Sequence, residues 1–340
     1  MQREYTTIRR ALIVIIALGM LAAGGVAAWG WYRYDVAALG FDAYPVRIQV
    51  AKGAGPLAIA NELNRKGASV PPLLVRWVLR LRGGIDGMKS GIYQIDKPES
   101  LRAVLDRLYS GRVTLEDIRL VEGWTLRQIR AQIDQHPDLA HDTRGLSEQA
   151  LRERIGAKEP SLEGMLFPST YYFSPGSSDV ELYKQAYRQM QKTLDEAWSQ
   201  RAPDLPIKTP YEALVLASIV EKETGLEADR DKVAAVFVNR LRKRMMLQSD
   251  PTTIYGLGEQ FDGNLRRSHL QADTPYNTYT RTGLPPTPIS APGRASLIAT
   301  LQPAPIGALY FVARGDGTSE FSDDLPAHNR AVSRYQLKRQ

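Results

Sequence analysis

The chain has no cysteine among its 340 residues, so disulfides and thiolate chemistry are excluded. Histidine is scarce too. His136, His141, His269 and His328 lie at no spacing that metal ligands use, and no metal site or other cofactor is expected. The formal charge of +7 comes without any Lys/Arg run interleaved with aromatics, which argues against a nucleic-acid partner. A mild positive balance suits a cell-wall polymer or an anionic membrane surface. What the chain does have is a 43% hydrophobic content, enough for the cores of two or three domains.

Residues 11–31, ALIVIIALGMLAAGGVAAWGW, carry no charge. At 1.5 Å per residue they span about 30 Å, one bilayer core. Arg3, Arg9 and Arg10 precede the run, and Trp29, Trp31 and Tyr32 follow as an interfacial belt, so the expected topology is a cytoplasmic N-terminus and an external bulk. A cleaved signal peptide is the alternative, because Gly25-Val26-Ala27 is a small-x-small site.

After a linker at 32–45, three strand–turn–helix units are expected within 46–133. The first has Val46, Ile48 and Val50 alternating, then Gly53 and Gly55, then Leu57, Ala60 and Leu63 at helical spacing. Tyr93 and Ile95 open the second, before Leu101, Val104 and Leu108; Ile118 and Leu120 open the third, before Leu126, Ile129 and Ile133. Pro72 to Leu81 reads as an amphipathic helix whose Trp77 packs into a core. Residues 134–160 read as a polar connector with a short helix at 147–155. Asp179 to Arg201 reads as a long surface helix capped by Ser177-Ser178-Asp179.

The densest chemistry lies between Pro210 and Tyr255. Thr209 and Pro210 start a helix, Ala213 to Val220 is apolar all round, and Gly225 offers a stop. At about 100° per residue, Glu223 falls beside Leu216, Ile219 and Val220, whereas Glu221 falls nearer Leu214 and Ala217. Burial and the negative end of the helix dipole both favour the neutral carboxyl, which is what a general acid needs. Asp231 to Met245 reads as a second helix with Val233, Val236, Phe237 and Leu241 inward and with Arg240, Arg242, Lys243 and Arg244 at its C-terminal end, most of them on a solvated basic face. Gln248, Asp250, Thr252 and Tyr255 then crowd hydrogen-bonding groups into a Pro-turned segment. Pro285, Pro286, Pro288 and Pro292 stiffen the following loop, in which Asn277 can serve an acetamido group and Tyr276 and Tyr279 can pack on sugar. Ser290 to Thr300 reads as a helix, Leu309 to Arg314 as a buried strand, Gly315-Asp316-Gly317 as a turn and Pro326 to Leu337 as a closing helix.

ASIVEKET at 217–224, VNRL at 238–241, LQSDPTTIYG at 247–256, YNTYTRTGLPPTPI at 276–289 and the HN-x-x-V-x-x-Y close at His328 to Tyr335 resemble the endolytic murein transglycosylase, YceG-like family over nearly the whole chain. The resemblance implies that Glu223, second Glu of E-K-E-T, is the catalytic acid/base, with Thr224 as the neighbouring hydroxyl. It implies that Glu163, in the EG-x-L-x-P-x-T-Y stretch, belongs to the active-site region, and that Gln248, Asp250, Thr252, Tyr255, Asn277 and Tyr279 line the glycan groove. It also implies a LysM-like, N-acetylglucosamine-binding region, matching the strand and helix of the first unit.

The expected fold class is α+β: a tail at 1–10, a transmembrane helix at 11–31, a small LysM-like strand–helix region at 46–133, a connector, and a larger mixed catalytic domain at 161–340. The implied activity is lytic cleavage of the N-acetylmuramic acid–β-1,4-N-acetylglucosamine bond of nascent peptidoglycan at the cytoplasmic membrane. Glycan strands would be the substrate, with the peptidoglycan synthases and the elongation or division machinery as partners. A hydrolytic muramidase using Asp250 or Glu163 as second carboxylate, and a non-catalytic wall-binding scaffold, remain as alternatives.

Overall fold

The computed structural model describes residues 2–51, 53–85 and 87–336, and divides into two compact units, Met1–Glu116 and Asp117–Gln340. The first unit begins with α1 (Gln2–Trp31), whose apolar side chains from Leu12 to Val26 stand exposed. The stretch Leu12–Val36 is long and apolar enough to cross a membrane and is a candidate single-pass anchor. A wide helical turn (Tyr32–Val36) leads to β1 (Val46–Val50), α2 (Pro56–Arg65), α3 (Pro72–Leu81), β2 (Gly91–Ile95) and α4 (Leu101–Ser110). β1 and β2 pair antiparallel with Ile48 opposite Tyr93, and the alternation of β1 sends Val46, Ile48 and Val50 into a core with Leu63, Val75, Leu79, Leu105 and Leu108. α3 departs from expectation. Its core contacts come from Val75, Val78 and Leu79, while Trp77 is 61% exposed.

The second unit continues with β3 (Glu116–Arg119), α5 (Leu126–Asp134), β4 (Leu139–Ala140), α6 (Glu148–Ile155), β5 (Thr170–Phe173), β6 (Ser177–Ser178), α7 (Asp179–Ser199), α8 (Pro210–Glu223), α9 (Arg230–Arg242), α10 (Asp250–Leu257), α11 (Arg267–Gln271), α12 (Arg294–Leu301), β7 (Tyr310–Ala313), β8 (Ser319–Ser322) and α13 (Leu325–Tyr335). The third strand–helix unit of the sequence belongs here: β3 pairs with β5, and Ile118, Leu126 and Ile129 join the larger core. The two compact units meet at Glu116–Asp117, and residues 134–160 supply β4, parallel to β6, and the core residues Leu151 and Ile155 of α6. α12 starts at Arg294 because Pro292 and Gly293 hold the preceding chain extended. β7 pairs antiparallel with β8, a strand the sequence pattern did not disclose. Leu337, the expected end of the closing helix, lies outside the described residues.

α8 is the buried axis of this unit. Thr209 caps it by accepting from the Glu212 amide, Pro210 sits in its first turn, and every residue from Ala213 to Val220 is buried. Each large aliphatic side chain there contributes about 1.5–3 kcal/mol. α7, α9 and α12 pack around it.

Candidate active site

α8 ends at Glu223, not at Gly225. Thr224 turns extended, and both its amide, at 3.1 Å, and its hydroxyl, at 2.8 Å, donate to the Val220 carbonyl. Glu223 is left at the mouth of a cleft of about 700 Å³ that also borders Arg240, Gln248, Asp250, Tyr279, Tyr310 and His328. Its Oε1 accepts from the Ser249 hydroxyl at 2.6 Å, its one hydrogen bond to another side chain among the described residues. Burial pushes the Glu223 carboxyl above the ordinary carboxylate range; the Ser249 hydrogen bond pulls it down, Asp250 pushes it up, and Arg240 pulls it down. The net direction is a raised proton affinity on a carboxyl that lines the cleft.

Ser249 is fully buried and held from three sides. Its amide donates to Thr278 Oγ1 at 3.0 Å, its carbonyl accepts from Thr252 Oγ1 at 2.7 Å, and Thr252 and Thr278 share a further hydroxyl contact of 2.8 Å. Thr252 is itself 0% exposed. The sequence reading places it along a groove; the structure places it beneath one, where it fixes the Ser249 hydroxyl. Asn277 is corrected in the same way. It is 0% exposed, its Nδ2 donates to the carbonyls of His269, Leu270 and Ala272, and its Oδ1 accepts from the Tyr279 amide and the Thr253 hydroxyl. With every polar site used internally, Asn277 positions the loop that carries Tyr279.

Gln248 and Asp250 are exposed in the cleft wall. Gln248 adopts φ +52°, a left-handed conformation that costs a non-glycine residue about 1–3 kcal/mol. The Gln248 amide donates to Thr278 O at 3.0 Å, and its side chain accepts from Arg240 at 3.4 Å. Asp250 accepts from the Tyr279 hydroxyl at 2.5 Å; burial, then this carboxylate, raises the Tyr279 phenol. Arg240 is 7% exposed, so its membership of a solvated basic face is overturned. Its guanidinium donates to Leu309 O at 2.7 Å and Leu247 O at 2.8 Å, and lies 5.2 Å from the Tyr310 ring, on which His328 also stacks. Burial lowers the affinity of both Arg240 and His328 for their protons. Ser249, Arg240, Tyr310 and His328 are the site residues that sequence reasoning missed. The signal for the last was present, since His328 opens the HN-x-x-V-x-x-Y motif.

Glu163 and Tyr255 lie elsewhere. They line a separate cleft of about 510 Å³ with Arg127, Arg130 and Glu148. Glu163 is 4% exposed, both its oxygens accept from the Leu126 amide, and the Tyr255 hydroxyl donates to it at 3.0 Å. Burial pushes its carboxyl up to about 7, against the pull of those donors. Gly164, next in the motif, has φ +74°, and a Cβ there would meet Pro288 at 2.5 Å. Glu221 faces another way again, accepting from the Gly293 amide at 2.9 Å. One group departs from the expectation drawn from histidine spacing: Asp134, His141 and Asp179 bring ligand-type atoms within 4.8 Å of one another. Thr143 donates twice to Asp179 Oδ2, through its amide and its hydroxyl, while Asp179 Oδ1 and His141 Nδ1 are buried without a hydrogen-bond partner among the described residues.

Comparison with known proteins gives the family. The model of the YceG-like family matches residues 48–334. The endolytic murein transglycosylase of Bacillus subtilis (strain 168) is 32% identical over 308 residues, covering 85% of this chain and 84% of that protein. The endolytic murein transglycosylase of Streptococcus pneumoniae (serotype 2, strain D39) is 26% identical over 94% of this chain and 64% of its own length. A crystal structure of a YceG-like protein from Listeria monocytogenes superposes with a TM-score of 0.52 at 26% identity, covering 84% of this chain and 98% of that one. With a family model spanning most of both units and a 32% identical relative along most of its length, the chain belongs to the YceG-like family.

Proposed function

We propose that the chain is a membrane-anchored endolytic peptidoglycan transglycosylase that uses Glu223 as its single acid/base. The observation that carries the reading is a carboxyl at the end of a buried helix, its proton affinity raised by burial, held by the Ser249 hydroxyl and lining a cleft. Glu223 protonates the glycosidic oxygen between N-acetylmuramic acid and N-acetylglucosamine as the C1–O4 bond breaks. The carboxylate so formed, steadied by Ser249, takes the proton of the muramoyl C6 hydroxyl as O6 closes on C1. The product ends in a 1,6-anhydro ring, no water is consumed, and Glu223 regains its proton. A second carboxylate to activate water is unnecessary, unlike in the two-carboxylate hydrolases.

The remaining residues take supporting parts. Gln248, Asp250 and Tyr279 bind sugar hydroxyls or acetamido groups along the cleft, with Thr252 and Asn277 holding them from beneath. Glu163 and Tyr255 serve a more distant part of the strand. Leu12–Val36 anchors the chain with its N-terminus in the cytoplasm, following Arg3, Arg9 and Arg10, so that cutting occurs on nascent strands beside the synthases and sets their length. The LysM-like strand–helix region of the first unit holds the glycan.

A hydrolytic muramidase is the second reading, and Asp250 favours it by sharing the cleft with Glu223. Analysis of strand ends after digestion of purified peptidoglycan separates the two. The expected product carries a 1,6-anhydro end; a reducing end would assign a hydrolase, and no cleavage at all would leave a binding scaffold.

A further inference from the structure

α3, with the sequence PLLVRWVLRL, turns its large side chains outward. Leu73 is 67% exposed, Trp77 61% and Leu81 84%, although Val75, Val78 and Leu79 of the same helix are buried. At 3.6 residues per turn the three exposed apolar side chains fall within about 80° of one another, and Arg76 and Arg80 occupy the adjoining edge. The helix carries no acidic residue and no amide side chain.

Its position is fixed by the residues that follow the apolar run of α1. The Arg33 guanidinium donates to the Ser69 carbonyl, just before α3 begins. Arg82, just after α3 ends, lies with its guanidinium 5.6 Å from the centroid of the Tyr34 ring. Asp35 is paired with Arg102 of α4 at 2.9 Å. Both ends of α3 are thus tied by single side chains to residues 33 and 34. A ten-residue helix is about 15 Å long, and one standing off the anchor could reach those residues with only one end.

We propose that the outward face of α3, with Leu73, Trp77 and Leu81 as its apolar stripe and Arg76 and Arg80 beside it, lies in the headgroup layer of the membrane that α1 crosses. The proposal rests on the reading of Leu12–Val36 as a membrane anchor. A Trp/Leu stripe with a basic edge is the pattern of a helix lying in the interface plane, its indole at headgroup level and its arginines on anionic lipid phosphates. A glycan strand is a poorer occupant, because sugar hydroxyls need acceptors that this face does not offer. A second copy is poorer too, since three side chains cannot supply the roughly 800 Å² per partner of a stable interface. The consequence is a first unit pinned flat by two attachments, α1 through the bilayer and α3 on its surface.

The absence of cysteine makes the test direct. Full-length single-cysteine variants Leu73→Cys, Trp77→Cys, Leu81→Cys, Met20→Cys and, as an exposed control, Lys192→Cys are labelled with a polarity-sensitive fluorophore in nanodiscs of phosphatidylethanolamine and phosphatidylglycerol. Nitroxide lipids quench at shallow or deep positions. The expected result is shallow quenching at 73, 77 and 81 several-fold above the control, reduced by Arg76→Glu with Arg80→Glu in anionic but not in zwitterionic discs. Quenching no greater than at Lys192 overturns the proposal. So does shielding of the α3 labels that requires added glycan strands, or that rises with protein copies per disc. Met20 separates the two layers of inference. Deep quenching at Met20 without quenching on α3 removes the proposal and keeps the anchor, whereas no deep quenching at Met20 removes both.

Discussion

Two glutamates of the second unit invite comparison. Glu163 and Glu223 are both carboxyls whose proton affinity is raised first of all by burial. Glu163 is met by the Leu126 amide on both oxygens and by the Tyr255 hydroxyl. Among the described residues Glu223 is met by the Ser249 hydroxyl alone, and it borders the larger of the two clefts. A raised pKa by itself therefore does not mark an acid catalyst. The distinguishing property is an oxygen that the protein leaves unpaired and a ligand can reach.

The comparison breaks most sharply at Glu223 itself. Glu223→Gln keeps shape and removes the titrating proton, and turnover on isolated glycan strands should fall by at least about 10²–10⁴-fold with the melting temperature little changed. Equal turnover in wild type and variant would dissolve the distinction. Glu221→Gln, whose partner is the Gly293 amide, should stay close to wild-type rate.

Asn277→Ala tests whether the residues under the cleft belong with Glu163 as structure. It strands three carbonyls and an amide, and chemical denaturation should show a stability loss of about 3 kcal/mol. Unchanged stability with lost activity would return Asn277 to the binding groove.

Glu163 should show itself in the pH dependence of stability. Its folded pKa of about 7 lies above the ordinary 4.5, so its stabilising contribution is complete below pH 4.5 and fades as pH rises to 7. The unfolded chain ionises in that window while the folded chain does not, and the loss should reach up to about 3 kcal/mol. Glu163→Gln should flatten the stability curve between those pH values; an unchanged slope would assign it to another group.

The smallest effect concerns Ser249. Ser249→Ala removes the hydroxyl that donates to Glu223, and turnover should drop about tenfold, the worth of one hydrogen bond to a charged group in the base step. A loss as large as that of Glu223→Gln would make Ser249 part of the proton transfer.

Local pattern made much of this legible. An apolar run with a Thr-Pro start gives α8, and the angle between positions 221 and 223 gives two glutamates with different neighbours. What pattern could not supply was pairing across the chain. Ser249 acts through Thr252 and Thr278, and Arg240 is buried by carbonyls from positions 247 and 309, so its charge looks solvated in sequence and is not. Thr252 and Asn277 look like ligand groups because polar residues crowd there, and they are spent internally for the same reason. Trp77 erred in the other direction. An amphipathic helix reads as core-facing, and only the fold shows that its apolar surface exceeds what the core takes up.

The pH profile of kcat/KM on isolated glycan strands tests the central claim most directly. As the acid of the proposed reaction Glu223 must be protonated, so the rate should fall as pH rises through its raised pKa. Ser249 holds that pKa down, so Ser249→Ala should move the alkaline limb to higher pH, while Glu163→Gln should leave it in place. An alkaline limb that moves with Glu163→Gln and stays fixed in Ser249→Ala would contradict the account and transfer the acid role to the other glutamate.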